Sequence, residues 1–181
     1  MEQLLVLDAS VAIKAILPNP LQEHCRALVK TFTETQPVSP ALWAHETTSA
    51  ISKTVHFGQI TEAEGRQALE QLAALGVQLF TPNLEQNQAA FDWTLRLKRA
   101  VAYDSYYLAL AQSLDCDFWT ADSRLFNALK NERLNWLQGA TAKPGIGLKK
   151  SHPCPDPCPE PSRSRSIHQA AHRKLGFPCL V

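Results

Sequence analysis

No stretch of this 181-residue chain is apolar for long enough to cross a bilayer as a helix. Its opening, MEQLLVLDAS, has neither the basic start nor the apolar core of a secretory leader. Both absences predict a cytoplasmic protein with no membrane partner. The five cysteines are odd in number, which argues against the disulfide framework of a small secreted domain. Cys25 and Cys116 fall in apolar-patterned segments and read as core thiols. There is no internal repeat. Nor is there a broad excess of positive charge: the net charge is +1, so any nucleic-acid claim must come from a site.

What is present divides the chain in two. Residues 1–142 hold 11 Lys and Arg against 15 Asp and Glu, whereas residues 143–181 hold 7 against 2. The second segment also contains seven of the twelve prolines, mixed with Ser, Arg and Lys. It shows little periodic apolar pattern before Ile167, which predicts a basic disordered tail after a folded unit over residues 1–142. Its HPCPDPCP segment offers His152, Cys154 and Cys158, but a fourth zinc ligand would have to come from as far as His168 or Cys179. The tail is therefore not read as a zinc site. Either its basic charge adds nonspecific affinity for a polyanion or it has no function of its own.

In the folded unit, short apolar runs alternate with helical periodicity. LLVL (4–7), PVSP (37–40), VQLF (77–80), DFWT (117–120) and LNWLQ (134–138) read as strands or extended pieces. Helices are expected over SVAIKAIL, residues 21–35, residues 41–58, and TEAEGRQALEQLAALG with a capping box at Thr61 and Glu64. Further helices are expected over residues 84–99, with Leu84, Phe91, Leu95 and the stem of Lys98 along the packed side, then DSYYLALAQSL and DSRLFNALK. Trp43, Phe57, Phe91 and Trp93 read as core rather than as partner surface. Short apolar strands separated by helices predict an α/β fold with a parallel sheet covered on both faces.

Ligands of such sheets sit beyond the carboxyl ends of the strands. Asp8 follows the first strand and Asp122 follows DFWT, so both belong on that rim. Asp104 opens a helix, and Glu46 lies within the helix after PVSP. Taken singly, Asp8, Asp104 and Asp122 are explained as helix N-caps. Glu46 is explained as a solvated helix residue, Ser10 as a turn residue and Thr120 as a strand residue. Asp115 and Asp117 precede their strand and belong to the opposite rim.

The ordered set LDAS, HETTSAI, YDSYYLALA and TADSRL resembles the PIN-domain nucleases, especially the VapC-type toxins of toxin–antitoxin pairs. The resemblance covers residues 4 to about 138, and its clearest part is YDSYYLALAQSLDCDFWTADSRL (103–125). It implies a PIN-like three-layer α/β/α sandwich with a short, mostly parallel central sheet. By that likeness Asp8, Glu46, Asp104 and Asp122 match a catalytic acidic quartet, and Ser10 and Thr120 match polar supports. The ETTSAI context of Glu46 is more polar than is usual for that family helix. The likeness also implies an RNA substrate, a homodimer and a small cognate antitoxin.

Several carboxylates cannot share a small pocket unaided. Two unit charges at ~5 Å repel by roughly 3 kcal/mol at an effective dielectric near 20. Oxygen donors without a Cys or His framework favour Mg²⁺ or Mn²⁺ over zinc. Asp8, Asp104 and Asp122 are then the expected metal ligands, directly or through water, and Glu46 is expected to orient or deprotonate the attacking water. Lys14, Lys53, Arg96, Lys98, Arg99 and Arg124 are candidate phosphate contacts, with Lys98 and Arg99 in RLKRA and Arg124 carried forward. Two other functions share the pattern. One is a catalytically weak PIN-like module that binds RNA or protein. The other is a phosphatase of the haloacid-dehalogenase type, disfavoured because Ser10 stands where its second aspartate is required.

Overall fold

The apolar run LLVL becomes the centre of the sheet. In the computed structural model, which describes residues 3–32, 35–132 and 134–140, β1 (Gln3–Leu7) lies between β2 (Thr35–Pro40) and β4 (Asp117–Thr120). β3 (Gln78–Phe80) extends the sheet beyond β2, and β5 (Leu137–Gly139) extends it beyond β4. The order is β3-β2-β1-β4-β5 and every pairing is parallel. Val6 is opposite Val38 on one side and Phe118 on the other, and all three are fully buried. A strand covered on both faces has no use for polar alternation, which is why it reads as a continuous apolar run.

Among the described residues seven helices supply the covering layers. α1 (Ala9–Ile16) and α2 (Gln22–Lys30) connect β1 to β2; α3 (Leu42–His56) and α4 (Glu62–Ala73) connect β2 to β3. α5 (Leu84–Arg96) and α6 (Tyr103–Leu114) return the chain to β4, and α7 (Ser123–Leu129) leads through a 3-10 turn (Lys130–Glu132) to β5. Right-handed crossovers put α1–α4 on one face and α5–α7 on the other. α6 lies against β1, β2 and β4, while α5 packs on α6. Among the described residues no helix is long and apolar enough to cross a membrane. The expectations for residues 143–181 fall outside the described residues.

The expected capping box is present: Thr61 Oγ1 accepts from Glu64 N, and the Glu64 carboxylate accepts from Thr61 N. Four other expectations are corrected. α2 ends at Lys30 rather than at 35, although Phe32 beyond its end still joins the core. The last strand begins at Leu137, three residues later than expected, where the chain comes into parallel register with Phe118. The Leu84, Phe91 and Leu95 side of α5 is exposed, at 71%, 60% and 60%. Lys98 lies beyond the helix and is also exposed. The buried side of α5 is Ala90, Trp93 and Thr94, whose small members bring the helix close enough for Thr94 Oγ1 to meet Ser105 Oγ at 2.8 Å. Trp43 and Trp93 are core as expected, but Phe57 and Phe91 are not.

Packing between α3 and α4 depends on Gly65. A Cβ at that position would lie 2.8 Å from Val55 Cγ2 and 3.5 Å from Ile51 Cγ2. Gly65→Val therefore overpacks this contact and is expected to lower unfolding free energy by about 1–3 kcal/mol, read as a shifted urea midpoint.

Candidate active site

Strand order reverses between β1 and β4, because the chain leaves β1 toward β2 and comes back on its other side. A parallel sheet opens a crevice at such a point, beyond the strand carboxyl ends. Asp8 is the first residue past β1, and its backbone N–H donates to the Trp119 carbonyl at 3.0 Å. That bond continues the ladder one step beyond the strand and stops Asp8 at the mouth of the crevice. The side chain is only 8% exposed.

Asp8 does two things at once. Its Oδ1 accepts from Ser10 N at 2.9 Å, capping α1, while Oδ2 accepts from Thr120 Oγ1 at 2.5 Å. Thr120, fully buried at the end of β4, in turn accepts from Asp122 N at 3.0 Å. Ser10 Oγ accepts from Ala121 N at 3.0 Å, and Lys14 Nζ donates to the Ala121 carbonyl. These bonds tie the start of α1 to the turn after β4. Asp122 caps α7 through Oδ1, which accepts from Arg124 N at 2.7 Å and Leu125 N at 3.2 Å. The plain and chemical readings of Asp8 and Asp122 are thus compatible, since a cap occupies one carboxylate oxygen and fixes the direction of the other.

Asp104 corrects the cap expectation. The N-cap of α6 is Ala102, without a side-chain cap, and Asp104 lies within the first helical turn. Its carboxylate instead faces Arg99, with Nη1 to Oδ2 at 3.6 Å. Glu46 is one turn into α3 and accepts from the buried Tyr107 hydroxyl. Asp117 opens β4 and Asp115 ends α6, so both stand at the amino end of the strand, away from the rim.

The four acids feel one another. Burial raises the Asp8 carboxyl to about 6, offset in part by the Thr120 and Ser10 bonds and reinforced by Asp104. Burial also raises Glu46; the Tyr107 bond opposes this, and Asp8 and Asp104 add to it. Asp104 is raised by burial, lowered by Arg99 and raised again by Asp122. Four segments of the chain have therefore delivered mutually repelling carboxylates to one end of the sheet.

A model of the PIN domain matches residues 5–131. The chain belongs to the PIN-domain family. It is 30% identical over 124 residues to a VapC ribonuclease of Mycobacterium bovis, a match covering 67% of this chain and 88% of that protein. The same figures hold for ribonuclease VapC9 of Mycobacterium tuberculosis. Among solved structures, a toxin–antitoxin complex from Klebsiella pneumoniae aligns with TM-score 0.55 at 10% identity, covering 75% of this chain and 96% of that one. VapBC-1 from nontypeable Haemophilus influenzae aligns with TM-score 0.51 at 19% identity, over 77% of this chain and 100% of that one. At such identities the two structures establish the α/β/α fold.

In this PIN domain the donor set suits a hard cation. Among the described residues, no three acidic, His or Cys side chains form a preassembled metal cage. Mg²⁺ does not require one, because it keeps several waters and commonly takes only one or two carboxylates directly. Burial, with mutual repulsion added, raises three of these carboxyls, and among the described residues no sulfur or imidazole joins them to favour zinc.

The basic residues divide by what they touch. Arg99 faces Asp104, while Lys14 is engaged by a carbonyl. Arg96 pairs with Glu132 and lies 5.0 Å above the Trp93 ring, so it serves the α5 surface. Lys98 and Arg124 are exposed, and Lys53 lines a shallow depression on α3 with His45. Two features of the site were not anticipated, the Arg99–Asp104 pair and the Tyr107–Glu46 bond. A signal for the second was available: a tyrosine in an otherwise apolar helix must find a partner for its hydroxyl.

Proposed function

We propose that this PIN domain is a Mg²⁺- or Mn²⁺-dependent endoribonuclease, the toxin of a toxin–antitoxin pair. The observation that carries the reading is the meeting of Asp8, Glu46, Asp104 and Asp122 on one strand rim, with burial and mutual repulsion raising three of them. RNA as substrate is supported by the relatives named ribonucleases. An antitoxin partner is supported by the origin of both structural neighbours in toxin–antitoxin assemblies. The apolar side chains left exposed on α5, Leu84, Phe91 and Leu95, support a homodimer. The same reading assigns the protein to the cytoplasm.

In this mechanism Asp8, Asp104 and Asp122 would hold the cation, directly or through water. Bound there, a divalent ion supplies charge to the phosphoryl oxygens and acidifies a water. Thr120 and Ser10 keep Asp8 pointed into the crevice. Glu46 orients the attacking water and takes its proton. Arg99, which faces Asp104 at the edge of the rim, would meet a phosphate oxygen, and Lys98 and Arg124 would extend the contact along the RNA. A shallow rim of this kind suits single-stranded or looped RNA.

Purified protein is expected to cleave single-stranded RNA with Mg²⁺ or Mn²⁺ and to stop in EDTA. Asp104→Asn should slow cleavage at least about a hundredfold. Wild-type cleavage undiminished by EDTA sinks the proposal. The second reading, a catalytically weak module that binds RNA or protein, draws on the lack of a preassembled cage among the described residues. Calorimetry with Mn²⁺ separates the two, since no binding at millimolar metal favours the second.

A further inference from the structure

Tyr107 is 1% exposed, and its ring lies 6.1 Å from that of Phe118 on β4. For packing alone a phenylalanine would serve, because neighbouring Leu108, Leu110 and Ala111 fill this side of α6 with apolar groups. A buried hydroxyl is tolerated only when bonded. Here it donates to Oε2 of Glu46, a residue 61 positions earlier on another helix.

Glu46 needs such a restraint. Its side chain has three rotatable bonds and is only partly buried, while Asp8 and Asp104 both repel it. Left alone, it lowers its energy by swinging toward solvent. The tyrosine donor opposes that swing from inside the protein. Tyr107 also stands three residues after Asp104, so one face of α6 presents both an acid of the quartet and the group that restrains another. Burial and the neighbouring carboxylates drive the Tyr107 phenol far above its ordinary range, so it stays protonated as a donor.

We propose that Tyr107 is a positioning residue of the nuclease reaction, holding Glu46 by Oε2 inside the acidic rim and leaving Oε1 free to receive the proton of the attacking water. The inference rests on the proposed nuclease activity for its kinetic effect and on geometry alone for the restraint of Glu46.

Tyr107→Phe removes the donor and keeps the ring. Its kcat for a single-stranded RNA with saturating Mn²⁺ is expected to fall about tenfold, with KM and the calorimetric Mn²⁺ affinity changed less than about threefold. In a Glu46→Gln background the same change should have no further effect on kcat. A structural role predicts otherwise: the loss would persist undiminished in Glu46→Gln, and that result overturns the proposal.

A measurement independent of catalysis follows Glu46 directly. The ¹³Cδ titration of Glu46 in metal-free protein should shift to lower pH in Tyr107→Phe, because a carboxylate that swings into solvent escapes the burial and the Asp8 and Asp104 charges that raise it. An unchanged titration overturns the restraint even if the enzyme is active. If the wild type cleaves no RNA but the titration shifts, the nuclease reading fails and the Tyr107–Glu46 restraint stands.

Discussion

Asp8→Asn is expected to cleave RNA at least about a thousandfold more slowly than the wild type and yet, without metal at pH 7, to be the more stable protein. The first half follows from removing a ligand charge at the centre of the rim. The second follows from the position of the carboxylate. Asp8 titrates near 3.8 when unfolded and at about 6 in the fold, chiefly through burial. Between those values the native state keeps a proton that the unfolded chain has released, so stability falls as pH rises through that window. The gap is equivalent to about 3 kcal/mol, absent below pH 4 and fully present above pH 6. Asparagine removes the charge but cannot accept the Thr120 hydroxyl at the position of Oδ2. That loss reduces the expected net gain to about 1–2 kcal/mol. Saturating Mg²⁺ should reverse the order, because only the wild type retains its full affinity for the ion. Melting curves at pH 4 and pH 7, in EDTA and in Mg²⁺, give all four comparisons. A variant less stable than the wild type at pH 7 in EDTA contradicts the charge argument.

Phe118→Ala carries the largest expected loss of stability. Phe118 is fully buried in β4, opposite Val6 and Leu137 in the two neighbouring strands. Truncation leaves a cavity between sheet and α6 that a parallel sheet, hydrogen-bonded on both sides, cannot close. The cost is about 3–5 kcal/mol, a large part of the margin of an ordinary domain. Denaturation by urea at 25 °C should show a lower midpoint with an unchanged slope. RNA cleavage should also weaken, because the Tyr107 ring rests on Phe118 and the restraint of Glu46 passes through that contact. A midpoint unchanged within error would mean that the crevice does not depend on this packing.

The parts of the fold most legible in the sequence were those in which local and global demands agree. LLVL and DFWT are short apolar runs because their strands are covered on both faces, and the Thr61–Glu64 box marks its helix start by chemistry that acts within four residues. α5 was misread because it has two apolar stripes. Periodicity favours the larger side chains of Leu84, Phe91 and Leu95, while the fold buries the small Ala90 and Thr94 that permit close approach to α6. The proposed quartet of Asp8, Glu46, Asp104 and Asp122 was read from order and context. Thr120 could be named as a polar support, but Tyr107 and Arg99 could not be named as partners of the acids, since they reach them through side-chain directions that no spacing rule encodes.

The bond from Thr120 to Asp8 spans 112 residues of chain. At ordinary synthesis speeds, on the order of ten seconds separates the emergence of its two ends. A polypeptide broken off before Asp104 has half its acids and no fourth strand to seat the first of them. On the proposed function, truncated products are therefore expected to be inert toward RNA, and cleavage begins only when nearly all of the folded unit has been made.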